Sequence, residues 1–295
     1  MKTNIKGVIT ASITPFTEDG ELYEQALAEH IDFLIKGGVE GLFVCGTYGQ
    51  GPLMSIEQRK KAVRIIVEAS DRRVPVVAHV GAASTEDAVE LCKHATDIGA
   101  EAVAAAPPWY YSHDERAVIA HYEAIASATS LPVFVYNNPF RTGISITPEI
   151  LAKLAEIDNL LGVKDSGESL PQFCRNMRLV KKQDFVHVFG SDDQSLAGLL
   201  MGAAGIIVVL TNAFPQFHVG LYRAFLNGDY LKARELQQQA IAIRDVLKKG
   251  PYISIVHEVI NMLGRKGGFA KRPLRRPTDN EKKTVKEGLK SFGLI

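Results

Sequence analysis

At 295 residues the chain has room for about one and a half to three ordinary domains, or for one large single-core barrel. Its 34 Lys plus Arg nearly cancel 33 Asp plus Glu, and the formal net charge of +1 argues against duplex nucleic acid or an anionic membrane as a partner read by bulk electrostatics. With 46% hydrophobic and 23% charged residues, the composition excludes a disordered chain and allows a sizeable core.

Short β-branched runs alternate with segments of helical period. The first run is Gly7–Thr14, and a helix follows from about Tyr23 to Lys36, its Leu27, Ile31, Leu34 and Ile35 on one face. The second run is Gly41–Cys45. Its helix opens at Ser55, with Gln58 at capping-box spacing. Val74–Val80 is the third run, followed by a helix from Ser84 or Thr85. Ala102–Ala106 is the fourth, before a helix at about Asp114–Ala128. Val133–Tyr136 is the fifth, and Thr147-Pro148 then supplies an N-cap and a proline at the first helical position. Leu160–Lys164, Val186–Phe189 and Gly205–Val209 complete the strands. After roughly Phe225 the strands stop, and Tyr230–Leu247, Pro251–Leu263 and Asp279–Phe292 read as helices.

Eight strand–helix units with nearly continuous apolar strands predict an α/β fold, a (β/α)8 TIM barrel over residues 1–225. A C-terminal helical extension is expected over 226–295. No Gly-x-Gly-x-x-Gly follows the first strand, as a dinucleotide fold would require. Cys45, Cys92 and Cys174 are odd in number and far apart, which favours a reducing compartment over a disulfide framework. The N-terminus lacks the features of a signal peptide, and no run reaches the roughly 18 apolar residues of a membrane span. A soluble, cytoplasmic chain is expected.

In such a barrel, chemistry sits just past the strand ends. Lys164 is an amine placed directly on an apolar strand. Burial would lower its pKa and leave a neutral nucleophile able to form a Schiff base with a ketone, an electron sink for carbon–carbon bond making or breaking. The alternative is that Lys164 leaves the strand for solvent, with Asp165 as a surface partner. Tyr136, at the end of the neighbouring strand, could shuttle protons, or could be a core tyrosine with a satisfied hydroxyl. Thr47 lies in the glycine-bracketed turn Gly46–Gly51, which forms either an anion nest or simply a tight turn. Arg141 follows in a Pro-containing loop suited to carboxylate recognition, or is merely solvated. Asp192 and Asp193 argue for an unphosphorylated substrate, with hydroxyls or an amine among their contacts. His79 and His187 could join Asp192 as metal ligands, or could pack in the wall; no zinc spacing occurs, and neither metal nor cofactor is called for. Lys271–Arg276 could meet a polyanion, or could be a solvated turn.

Taken together and in order, Gly46-Thr47-x-Gly49, Trp109-Tyr110-Tyr111, Tyr136-Asn137-x-Pro139 and Val163-Lys164-Asp165-Ser166 resemble the dihydrodipicolinate synthase / N-acetylneuraminate lyase family of class I, pyruvate-dependent aldolases. Gly190-Ser191-Asp192-Asp193 and the closing helices extend the likeness over essentially the whole chain. The resemblance implies a lyase that needs no cofactor, acts on pyruvate and an aldehyde, and assembles as a homotetramer, a dimer of dimers. It implies Lys164 as the imine-forming residue and Tyr136 as the proton relay, hydrogen-bonded to Thr47. The Thr47 and Tyr48 amides would hold the pyruvate carboxylate, and Gly190 and Ile207 would place backbone groups around the imine. Tyr110 would enter a neighbouring subunit's site.

Arg141-Thr142-Gly143 is similar to the synthase branch, where the arginine binds the carboxylate of aspartate semialdehyde. Tyr48 and Gln50 depart from that branch, which places Thr and often Glu there. Asp192-Asp193 resemble an acidic pair that sialic-acid lyases use on a polyol, whereas Val208 and Val209 stand where lyases place a Ser. The synthase reaction is therefore the first expectation. A 2-keto-3-deoxygluconate-type sugar acid aldolase and N-acetylneuraminate lyase are the family alternatives, and a non-catalytic keto-acid-binding barrel or a metal-dependent aldolase lies outside the family.

Overall fold

The computed structural model describes residues 4–295. Eight parallel strands close into one barrel in chain order. They are β1 (Gly7–Ala11), β2 (Gly41–Val44), β3 (Val76–His79), β4 (Ala102–Ala105), β5 (Val133–Asn137), β6 (Leu160–Asp165), β7 (Val186–Phe189) and β8 (Gly205–Val208). Closure runs through β1 and β8, with Gly7 opposite Gly205 and Ile9 opposite Ile207.

Side chains alternate along the strands, with one irregularity at the start of β6, and both faces are buried, which is why the runs read as continuously apolar. One set, including Ile9, Phe43, Val77, Ala104, Phe134, Tyr136, Val188 and Ile207, packs together inside the ring. The intervening set, including Val8, Leu42, Val44, Val103, Val135, Val163 and Ile206, packs outward beneath the helices. Gly162 has a steric reason: a Cβ there would lie 2.2 Å from the Phe134 ring, whose edge fills the space. β5 and β6 then run in register, placing Tyr136 opposite Lys164.

The helix starts follow their sequence signals with one difference. The Ser55 hydroxyl accepts from the Gln58 amide at 3.2 Å, but the Gln58 side chain does not complete the box. It reaches instead toward the Gly20 carbonyl and Glu21, acceptors supplied by the loop after β1. Ser84 caps through the Asp87 amide and Thr147 through the Ile150 amide. A full capping box forms at Thr278 and Glu281 instead. Residues 139–142, expected as loop, make one helical turn closed by Gly143 at φ 73°.

The C-terminal helices Tyr230–Leu247, Tyr252–Met262 and Asp279–Ser291 gather around Ala240, Ile243, Leu247, Ile255, Val259, Val285 and Leu289. That cluster also includes Ile13 and Leu210, residues just beyond the ends of β1 and β8, with Phe214. Packing on those ends holds the tail beside the barrel mouth, where it supplies a wall to the cavity described next. Among the described residues, no helix is long and apolar enough to cross a membrane.

Candidate active site

Lys164 sits on β6 with its side chain inside the ring, 4% exposed. Its Nζ lies 3.7 Å from the Phe43 ring centre and 4.0 Å from that of Tyr136. Burial lowers its pKa well below that of an ordinary lysine, and the Asp192 carboxylate opposes this without restoring it. Asp165 points the other way. Its carboxylate accepts from the Asn137 and Asn176 side chains at 3.0 and 2.8 Å and from the Gly167 amide at 2.9 Å, and is not a surface partner of Lys164.

The Tyr136 hydroxyl stands 3.1 Å from the Thr47 hydroxyl and accepts from the Asn138 side-chain amide at 2.8 Å. Its ring meets Phe43 and His79 edge-on, with centroids 5.3 and 5.6 Å away. Burial raises the phenol pKa, and hydrogen bonds from Thr47 and Asn138 work against the rise. Asn138 was not singled out in the sequence. The signal was there: two residues after Tyr136 and just past the end of β5, it continues the alternation and returns to the same side.

The turn after β2 is held by its own backbone and by the tail. Cys45 and Gln50 take left-handed φ of 55° and 58°, and the Gly51 amide donates to the Gly46 carbonyl. At Gly49 a Cβ would meet the Cys45 nitrogen at 2.8 Å and the Ser12 carbonyl at 3.0 Å, so the chain can fold back only with glycine there. The Gln50 side chain, buried, donates to His257 Nε2 at 2.9 Å and accepts from the Lys271 amide at 2.6 Å. His257 Nδ1 donates in turn to the Gly267 carbonyl at 2.7 Å. Burial keeps this imidazole neutral by lowering its pKa to about 4, with the bond to Gly267 opposing.

A cavity of about 480 Å³ opens above Lys164 and brings together Thr47, Tyr48, Tyr136, Arg141, Lys164, Gly190, Asp192 and Ile207. Asn138, Ser166 and Glu168 join them, and so do Arg244, Lys248 and Tyr252 from the tail, which the sequence reading missed. Tyr110 is not in this cavity. It is 86% exposed at φ 83° and packs edge-on against Tyr111.

Several expectations change in detail. The Gly190 amide is used by the Asp165 carbonyl at 2.8 Å, leaving its own carbonyl for any bound group. Asp192 Oδ1 accepts from the Val209 and Leu210 amides at 3.1 and 2.8 Å, anchoring it to the end of β8. Asp193 pairs with Arg244, and Lys248 lies 3.5 Å away. Asp192 is thus tied to the barrel, whereas Asp193 is engaged through Oδ2 and keeps a buried Oδ1 without a hydrogen-bond partner. His79 lies inside the ring, where Nδ1 meets the Cys45 carbonyl and Nε2 accepts from the Ala106 amide. His187 lies outside, against Phe173 and Phe185. With Asp192 they make no ligand set, and no group of three candidate metal ligands occurs among the described residues. The Lys271–Arg276 segment is largely self-satisfied: Arg275 pairs with Glu281 and Arg276 with Glu18.

The sequence pattern of the Dihydrodipicolinate synthetase family matches residues 4–292. A protein named 4-hydroxy-tetrahydrodipicolinate synthase from Methanothrix thermoacetophila is 36% identical over 285 residues, covering 96% of each chain. An uncharacterised DapA-like lyase of Halobacterium salinarum is 35% identical over 291 residues, 99% of this chain and 95% of that one. Among solved structures, YagE, a prophage protein of the dihydrodipicolinic acid synthase family from E. coli K12 crystallised in complex with pyruvate, superposes with a TM-score of 0.95 at 32% identity, covering 99% of this chain and 100% of that one.

Proposed function

Because the chain belongs to the dihydrodipicolinate synthetase family and is a lyase, we propose that Lys164 forms a Schiff base with pyruvate and adds it to an aldehyde, aspartate semialdehyde first. The observation that carries this reading is the position of Lys164 Nζ. It lies over the Phe43 and Tyr136 rings, in the lining of a cavity larger than a three-carbon acid requires.

The neutral amine attacks the keto carbon, and the carbinolamine loses water to give a protonated imine. Loss of a methyl proton then yields an enamine, whose carbon attacks the aldehyde carbon while the aldehyde oxygen takes up a proton. Tyr136 suits these transfers. Its hydroxyl contacts Thr47 and Asn138, so a proton can be handed on without bulk water, and burial keeps it a phenol between transfers. The Gly46–Gly51 turn presents Thr47 and Tyr48 to the same cavity, which suits the pyruvate carboxylate. Arg141 is exposed at the rim and takes the carboxylate of the aldehyde.

The relatives named as synthases support this choice of aldehyde, and the YagE complex supports pyruvate. A cytoplasmic homotetramer goes with the reading, Tyr110 reaching toward a neighbouring copy; a monomer in sedimentation at working concentration would remove that part.

Borohydride added with pyruvate should leave a covalent adduct on Lys164, read by peptide mass spectrometry. Equal trapping in Lys164→Ala would overturn the assignment. Arg141→Ala should abolish turnover of aspartate semialdehyde and spare glyceraldehyde. The reverse pattern, or preference for a sugar-derived aldehyde, would move the chain to the sugar acid aldolases.

A further inference from the structure

The helical tail contributes side chains to the cavity that the proposed chemistry does not use. Arg244 lies in the last turn of the helix Tyr230–Leu247, Lys248 follows that helix as its C-terminal cap, and Tyr252 opens the next helix; all three line the space above Lys164. Arg244 is half-buried, held by Asp193 through one terminal nitrogen, while its buried Nε has no hydrogen-bond partner. The guanidinium carbon lies 5.6 Å from the Tyr252 ring centre. The Tyr252 hydroxyl is also buried without a well-aligned partner, and its ring meets Tyr48 edge-on at 5.9 Å.

An arginine offers five N–H donors in a planar fork, so one carboxylate contact leaves most of its capacity unused. Orphaned buried donors at a cavity wall point to an acceptor that arrives with a ligand. Asp193 serves as a tether that fixes the fork. The donor-only chemistry of the fork indicates what that ligand is, a carboxylate. Arg141, Arg244 and Lys248 bring three cations to the cavity. The carboxylates of Asp193, Asp192 and Glu168 balance them formally, but Asp192 is held by the Val209 and Leu210 amides and Asp193 by Arg244 and Lys248, so neither reaches the free edge of the Arg244 fork. Tyr48, Arg141 and Arg244 line the same cavity, and the Tyr48 ring packs on Tyr252.

Resting on the Schiff-base reading above, we infer that Arg244 is a specificity-determining residue for the second substrate. It receives the carboxylate of an acidic aldehyde from the tail side, with Arg141 as the second cation and the Tyr48 and Tyr252 hydroxyls bordering the subsite. The tail therefore takes part in choosing the aldehyde, in addition to packing on the barrel.

The test uses the whole 295-residue chain in three forms, wild type, Arg244→Gln and Arg244→Lys, each assayed with aspartate semialdehyde and with glyceraldehyde. Arg244→Gln should raise KM for aspartate semialdehyde by about tenfold or more, with KM for pyruvate and both constants for glyceraldehyde within about twofold of wild type. Arg244→Lys keeps the charge and loses the fork, so its KM should fall between the other two. An equal change for both aldehydes would mean that Arg244 only braces the tail, and no change would mean that it touches no substrate; either overturns the inference while pyruvate trapping still stands. Wild type that fails to trap pyruvate would overturn the Schiff-base reading, and this inference with it.

Discussion

On the floor of the cavity the protein suppresses a charge, and on the tail-side wall it preserves one. Lys164 is surrounded by Phe43 and Tyr136, and burial dominates its titration. Arg244 is also partly buried, which by itself would lower its pKa, but Asp192, Tyr252 and Asp193 outweigh that and keep it cationic. The difference follows from where each side chain originates. The floor comes from strands whose inward positions alternate with fully buried ones, so a polar group there has aromatic neighbours and little water. The wall comes from helices laid beside the mouth, where a carboxylate of the β7 loop can reach them. A floor of this kind suits a nucleophile, and a wall of this kind suits recognition.

The sharpest way to break this division is Tyr136→Phe. The ring keeps its edge-on contacts with Phe43 and His79, so the barrel should melt close to wild type. Loss of the hydroxyl, however, removes the group that contacts Thr47 and Asn138, and kcat should fall by about 10²–10⁴-fold. A loss of less than about threefold would take proton transfer away from Tyr136, and with it the claim that the floor alone carries the chemistry.

The next effect concerns what suppressing the floor charge does to stability. A neutral Lys164 in the folded state faces a protonated lysine in the unfolded chain, so the unfolded state binds the extra proton and folding is penalised. The folded pKa is lowered, hence the penalty is full below that lowered value and shrinks away as pH rises from there to about 10.4. Lys164→Met keeps the length of the side chain among the same rings. It should stabilise the inactive protein at pH 7 by about 1–4 kcal/mol. The advantage should decline by at most about 1.4 kcal/mol per pH unit on approach to pH 10. Urea titrations at pH 7 and 9 measure both. A difference between the two proteins that does not vary with pH would show that Lys164 is charged in the folded state.

These two regions were not equally legible in the sequence. The floor follows from a period of two: once β5 and β6 are recognised, Tyr136 and Lys164 fall on inward positions and in register. Asn138 obeys the same rule and could have been read. The wall obeys no local rule. Arg244 meets Asp193 across 51 residues, and Gln50 meets His257 across 207, distances at which periodicity carries no information. Asp192 shows the converse failure, because an acid past a strand end looks like a ligand until the Val209 and Leu210 amides are seen to occupy it. Likewise the Ser55 and Gln58 spacing suggested a reciprocal cap, yet the Gly20 carbonyl drew the glutamine away.

The smallest effect probes the joint between the two regions. Gln50 belongs to the turn that carries Thr47 and Tyr48, and its amide donates to His257 Nε2 on the tail. In Gln50→Glu the bond from the Lys271 amide survives, because a carboxylate oxygen still accepts it. The other oxygen, however, faces the lone pair of a neutral imidazole whose proton is held on Nδ1 by Gly267. With a donor lost and two acceptors opposed, the protein should lose about 1–3 kcal/mol at pH 8. Protonation of His257 turns the same contact into a charge-assisted bond, so the folded histidine's pKa in this variant rises from its wild-type value of about 4. A folded pKa raised above the unfolded value of about 6.5 gives stability that is present below that value and lost as pH climbs through the folded one. The variant should therefore regain stability between pH 8 and pH 6, whereas the wild type, with its depressed histidine, gains nothing from His257 over that range. KM for pyruvate should follow the same course, because the turn that borders the cavity is released and then clamped again. Equal destabilisation at both pH values would show that the glutamine merely fills space, and that the tail does not set the position of the turn.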